Sequence, residues 1–304
     1  MTKPHLLATP SLAVSIALAL AACGRSGDSR PDLLLVSARA GDYAIYVLHA
    51  DGSAQTRLTE NPAASLSNGV FFQVEPDWSP DGRRIAFASR RRGSFDIYVM
   101  NADGTGTRRL TATSDDDDNP TWSPDGRRLA FNRAGDVYVM SADGTGVRRI
   151  TAEMDPQTDP AWSPDGKWIA YVRGSQGTVG VDLRELWLVQ SDGKRNHALT
   201  TMGVSSYSPA WSPDSARVAF ATNVESTQFD IYTIDVDGKR KQRVTVSAED
   251  TFEPAWSPDG KTIAYSEGGA IYVTDAAGKA AKRITDETNN DSSPAWSPVP
   301  VPTG

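Results

Sequence analysis

A five-residue element, P-x-W-S-P, occurs six times, around Trp78, Trp122, Trp162, Trp211, Trp256 and Trp296, at spacings of 44, 40, 49, 45 and 40 residues. A period of this size means one supersecondary unit stacked on itself, because a unit so short cannot bury its apolar face alone. Twelve of the nineteen prolines and six of the eight tryptophans belong to the element, so their abundance is a tally of units. The rest of the composition, 39% apolar and 23% charged over 304 residues, is that of a globular chain.

Each unit reads as four short strands. The first carries P-x-W-S-P and runs into S-P-D-G, where Pro and Gly occupy the positions that a tight turn favours. The second is an apolar run such as Ile85-Ala86-Phe87 or Ile263-Ala264-Tyr265, as expected of a strand buried on both faces. The third, such as Asp96-Ile97-Tyr98-Val99-Met100, closes in Asp-Gly (Asp103-Gly104, Asp143-Gly144, Asp192-Gly193, Asp237-Gly238), a strong hairpin signal. The fourth is short and basic, as in Arg108-Arg109-Leu110-Thr111. A strand with two prolines has an unpaired side, and an Arg-bearing strand is an edge guarded by charge. Both edges are therefore open.

Four-stranded antiparallel sheets repeated at this period define an all-β chain, a β-propeller. The proline strand lines the channel, the basic strand the rim, and the tryptophans pack between blades. The ends give the blade number. Leu33-Leu34-Leu35-Val36 is a second strand without a first, and Pro294-Ala295-Trp296-Ser297-Pro298 is a first strand with nothing after it. Pairing them in one blade closes a ring of six.

P-x-W-S-P-D-G, I-A-F, D-I-Y-V-M-x-A-D-G and R-R-L-T resemble the WD40-like repeats of the TolB-type β-propeller family. The likeness covers residues 33–298, departing at Ser215, which replaces the turn glycine, and at Val299, where the last copy stops. TolB carries an α/β domain ahead of its propeller, for which residues 24–32 leave no room. The resemblance thus implies the propeller and not the Tol–Pal role.

Residues 1–22 carry Lys3 and His5, then an apolar run without an acidic residue, the layout of a secretory signal peptide. Leu20-Ala21-Ala22-Cys23 resembles a bacterial lipobox, which implies cleavage before Cys23 and its lipidation. Gly24, where inner-membrane lipoproteins of diderm bacteria resemble one another in carrying Asp, implies an outer-membrane lipoprotein facing the periplasm. Residues 23–32 then form a tether reaching roughly 15–18 Å ahead of a propeller over 33–304. Cys23 is the sole cysteine, so no intramolecular disulfide is possible.

The net charge of −7 excludes a typical nucleic-acid binder, and its distribution is more informative. The six segments joining a fourth strand to the next first strand (60–77, 112–121, 152–161, 201–210, 246–255 and 286–295) hold sixteen acids and no Lys or Arg. They share one propeller face. Glu75, Asp115, Asp116, Asp117, Asp118, Asp159, Glu253 and Asp291 are the expected acidic channel mouth, able to steer a basic partner. Phe71, Phe72 and Tyr207 are the expected aromatic anchors, and the long hairpin over 173–184 emerges on the same face. The metal ligands cannot be assigned. No D-x-D-x-D-G loop is present, and calcium is an expectation only because the family's channel resembles a calcium site.

The expected function is that of a monomeric, membrane-anchored scaffold, binding a periplasmic or outer-membrane protein through this mouth and requiring no cofactor. Glycan binding is the alternative. A hydrolase or lyase is less favoured, because His49 and His197 lie at the periphery and no G-x-S-x-G elbow exists.

Overall fold

A computed structural model describes residues 32–60, 73–176, 182–200 and 205–298. The readings on the signal peptide, Cys23, Phe71, Phe72 and Val299 lie outside these residues. The described chain forms six four-stranded antiparallel sheets. Blade 1 is the closing blade. In it Ser292–Trp296 pairs antiparallel with Asp32–Ser37, with Leu33 opposite Trp296 and Leu34 opposite Ala295, as the matching ends predicted. The Ser297 N–H donates to Asp32 O at 2.7 Å, extending the clasp.

The second strands are buried on both sides, and Ile85, Ala86, Phe87 and Ala88 are all fully covered. The cores lie between blades rather than within them. Trp122 packs with Ala86, Ala88, Ile97 and Val99 of blade 2 and with Leu129, Phe131 and Met140 of its own blade 3. Arginines at the start of second strands cap these tryptophans, with Arg84 4.5 Å from the Trp122 ring and Arg217 4.9 Å from that of Trp256.

Two further devices repeat. The threonine of each R-R-L-T-type segment accepts the N–H of the third strand, from Ile45 to Thr59, Ile97 to Thr111, Val137 to Thr151, Leu186 to Thr200, Ile231 to Thr245 and Ile271 to Thr285, at 2.8–2.9 Å. These bonds anchor the start of every connector. The glycine of each third-strand hairpin meets the preceding blade. A Cβ on Gly278 would stand 2.0 Å from Val244 O, and one on Gly52 2.1 Å from Ile284 O, across the ring closure. With φ of +79° and +87°, both positions call for glycine on two counts. Ser215 adopts the same hand, φ +59°, and its Oγ accepts the Asp165 N–H at 3.0 Å, so this departure from the repeat ties two blades together.

Candidate binding site at the channel mouth

The inner strands (Gln73–Trp78, Asp117–Trp122, Gln157–Trp162, Ser206–Trp211, Thr251–Trp256 and Ser292–Trp296) each contain a bulge. In blade 2, Val74 pairs with Ala88 and Asp77 with Ala86, so Glu75 and Pro76 together oppose Phe87. The residue before the proline is left-handed in every copy: Glu75, Asn119, Asp159, Ser208, Glu253 and Ser293 have φ between +49° and +57°. Acids and neutral residues alternate around this ring, and each acid accepts from the next blade. The Asn119 N–H donates to Glu75 Oε2 at 2.6 Å, the Ser208 N–H to Asp159 Oδ2 at 3.2 Å and the Ser293 N–H to Glu253 Oε2 at 2.7 Å. Three carboxylates thus lace six blades in pairs.

Desolvation dominates their electrostatics. Burial pushes Glu75 well above the usual carboxylate range, and the charges of Asp118, Asp159 and Glu253 push the same way. Asp159 is also raised by burial, against its Ser208 bond and the nearby Arg184. Burial takes Asp118 up to about 6, with help from Asp159, Asp116 and Asp117. Asp77 also reaches about 6 by burial, although it accepts the Trp122 N–H at 2.7 Å.

The remaining predicted acids divide. Asp117 is fully buried and grips Arg133 at two points, 2.6 and 2.8 Å. Asp291, 1% exposed, holds Arg39 with both oxygens at 3.0 and 2.9 Å. Asp116 pairs with Arg90 at 2.9 Å and accepts the Phe95 N–H at 2.8 Å. All three secure hairpins. Their arginines come from the ends of second strands and the hairpins that follow. These reach the same face as the connectors, so that face is less negative than a count over connectors alone implies.

Asp115, Asp116, Asp118, Asp159 and Tyr207 do meet, around one cavity of about 480 Å³ between the inner strands of blades 3, 4 and 5. Asn119, Asn132, Thr158 and Arg184 complete most of its wall. Glu253 stays in the ring beyond it. Arg184, from the long hairpin of blade 4, lies 5.2 Å from the Tyr207 ring. Tyr207 in turn meets Phe229 edge-on at 5.4 Å and Phe252 at 6.4 Å, and Phe229 and Phe252 are 5.0 Å apart.

Two contributors escaped the sequence reading. Phe229 immediately precedes the third strand of blade 5, matching Phe95 within the third strand of blade 2, and aligning F-D-I-Y between the copies reveals it. Asn132 interrupts an apolar second strand and pairs in register with Asp118. His49 pairs with Asp32 at 3.0 Å and His197 lies edge-on to Trp168, at 5.3 Å. Among the described residues, no three His, Cys, Asp or Glu side chains are grouped as a metal site requires, and no helix is long and apolar enough to cross a membrane.

Fold and site together define a six-bladed propeller with a cavity at one channel mouth. The family described as the TolB beta propeller domain matches residues 65–187 and 182–300, and the chain belongs to that family. Over 62 residues it is 37% identical to the Tol-Pal system protein TolB of Syntrophus aciditrophicus, a match covering 20% of this chain and 12% of that relative's length. Among solved structures, TolB from Acinetobacter baumannii superposes with a TM-score of 0.74 at 19% identity, covering 89% of this chain and 67% of the other. An oligogalacturonate lyase in complex with manganese superposes with a TM-score of 0.58 at 16% identity, covering 84% and 73%. At these identities the likeness is one of fold alone.

Proposed function

We propose that this protein is an envelope lipoprotein, anchored through Cys23 in the outer membrane, that binds a protein partner in the periplasm at the channel mouth. The observation that carries this reading is the cavity itself. It brings four acids and Tyr207 together on an inner ring braced by blade-to-blade hydrogen bonds, a preformed and mostly anionic recess. Family membership supports it, since the Syntrophus and Acinetobacter relatives are TolB proteins. The chain acts by binding and not by catalysis in this reading, which assigns no reaction to its raised carboxylates. Calcium has no grouped ligand set among the described residues and forms no part of it.

A photo-crosslinking residue in place of Tyr207, used in native envelopes, tests the proposal. Capture of a discrete protein supports it; capture of polysaccharide alone favours the glycan reading, to which the Tyr207, Phe229 and Phe252 trio lends its aromatic surface. The anchor has its own test, in which Cys23→Ser abolishes labelling by a radioactive fatty acid and releases the protein from membranes.

A further inference from the structure

We infer that the cavity beside Asn132 is a subsite for a guanidinium group, the arginine side chain of the partner. This deepens the protein-binding reading and rests on it. Asn132 is 6% exposed, yet only half of its amide is satisfied. Its Nδ2 donates to Asp118 Oδ1 at 2.8 Å and to Asn119 Oδ1 at 3.2 Å. Both partners are acceptors, so they dictate which way the amide faces and leave Oδ1 as the other end. That oxygen is buried and accepts from no group among the described residues. A buried carbonyl without a donor is costly, and this one belongs to a side chain lining a cavity of about 480 Å³.

The wall around it is rich in acceptors. Among the described lining residues, Asp115, Asp116, Asp118 and Asp159 stand with one cation, Arg184, and because Asp116 is already paired with Arg90, three carboxylates face that one cation. A neutral ligand such as a sugar brings as many acceptors as donors and leaves this excess unmatched. A guanidinium brings five N–H groups, no acceptor and a charge that does not titrate away. Its planar fork suits a carboxylate and an amide oxygen at different angles better than the compact head of lysine. The Arg184 guanidinium lying over Tyr207 at 5.2 Å indicates that the aromatic wall tolerates a planar cation. The same residue opposes entry by its charge, which makes it a tuning element.

The test uses the full chain, titrated by calorimetry at low salt with N-acetyl-arginine amide and with its neutral isostere, N-acetyl-citrulline amide. The arginine compound is expected to bind at least about ten-fold more tightly, as for hydrogen bonds to charged groups. Asp118→Asn should remove most of that preference, and Arg184→Gln should strengthen arginine binding. Equal binding of the two compounds, or an Asp118→Asn variant with an intact melting curve and unchanged affinity, overturns the inference. Failures of the two readings differ. If the arginine amide binds as expected but the Tyr207 crosslinker captures no protein, the partner reading fails and the subsite stands. If a protein is captured and the arginine amide neither binds nor competes, the subsite fails and the partner reading stands.

Discussion

The two faces of the propeller use the same residue type in opposite ways. On the S-P-D-G face, Asp81, Asp125, Asp214 and Asp259 each accept the hydroxyl of the serine two residues earlier, at 2.6, 2.6, 2.6 and 2.7 Å. These bonds hold the four acids below the ordinary carboxylate range. At the channel mouth, burial drives Glu75, Asp77, Asp118 and Asp159 above it. The turn acids are wet and surrounded by donors, so their charge favours folding. The mouth acids lie buried on the inner strands, where the loss of water outweighs their hydrogen bonds, so their charge opposes it. An acid count per face cannot separate turn chemistry from a site kept at a cost in stability.

The sharpest way to break this contrast is at Asp117, a mouth-face acid that does structural duty. Asp117→Ala strands the largely buried Arg133 and should cost about 3–5 kcal/mol, read as a lowered midpoint in denaturant unfolding. Asp118→Asn should act in the opposite sense. The folded carboxyl of Asp118, at about 6, lies above its unfolded value near 4, so the native state binds the extra proton. Its ionisation therefore erodes stability as pH rises from about 4 to 6, and the full cost remains above that window. The variant should be more stable than the parent by about 1–2 kcal/mol at pH 8 and equal to it at pH 3.5. A melting series across pH checks both ends. Asp125→Ala, on the turn face, should lose about 1 kcal/mol, with the reverse profile. The folded pKa of Asp125 is lowered, so its contribution is complete above the unfolded value, near 4, and fades as pH falls through the folded one. If the Asp118 and Asp125 variants show the same pH profile, the contrast between the faces is gone.

Much of the fold was legible because repetition multiplies weak local signals. One P-x-W-S-P segment could be many things, but six at a near-constant period leave few alternatives to stacked blades. The unmatched strands at the two ends close the ring. Trp122 could be assigned to a blade interface for the same reason. The site was less legible. Asp115, Asp116, Asp118, Asp159 and Tyr207 were identified by residue type and meet at the cavity, whereas Asp117 and Asp291 carry the same side chain and proved to be buried ion-pair partners. Nothing local distinguishes Asp117 from Asp118; the alternation of a strand sends one to Arg133 and the other to Asn132.

The sequence by itself determined the all-β class, the blade count, the closure and the face on which the acids gather. These follow from period, turn chemistry and apolar alternation, which are local properties repeated along the chain. Only the tertiary structure decided which acids stay charged partners and which lose their water. It alone set the left-handed bulge that joins Glu75, Asp159 and Glu253 to their neighbouring blades, a ring whose six positions are filled by four different residue types. It also left the buried amide oxygen of Asn132 without a donor among the described residues. Desolvation and pairing depend on groups from 14 to 252 residues apart in the chain, and only the closed ring sets those distances.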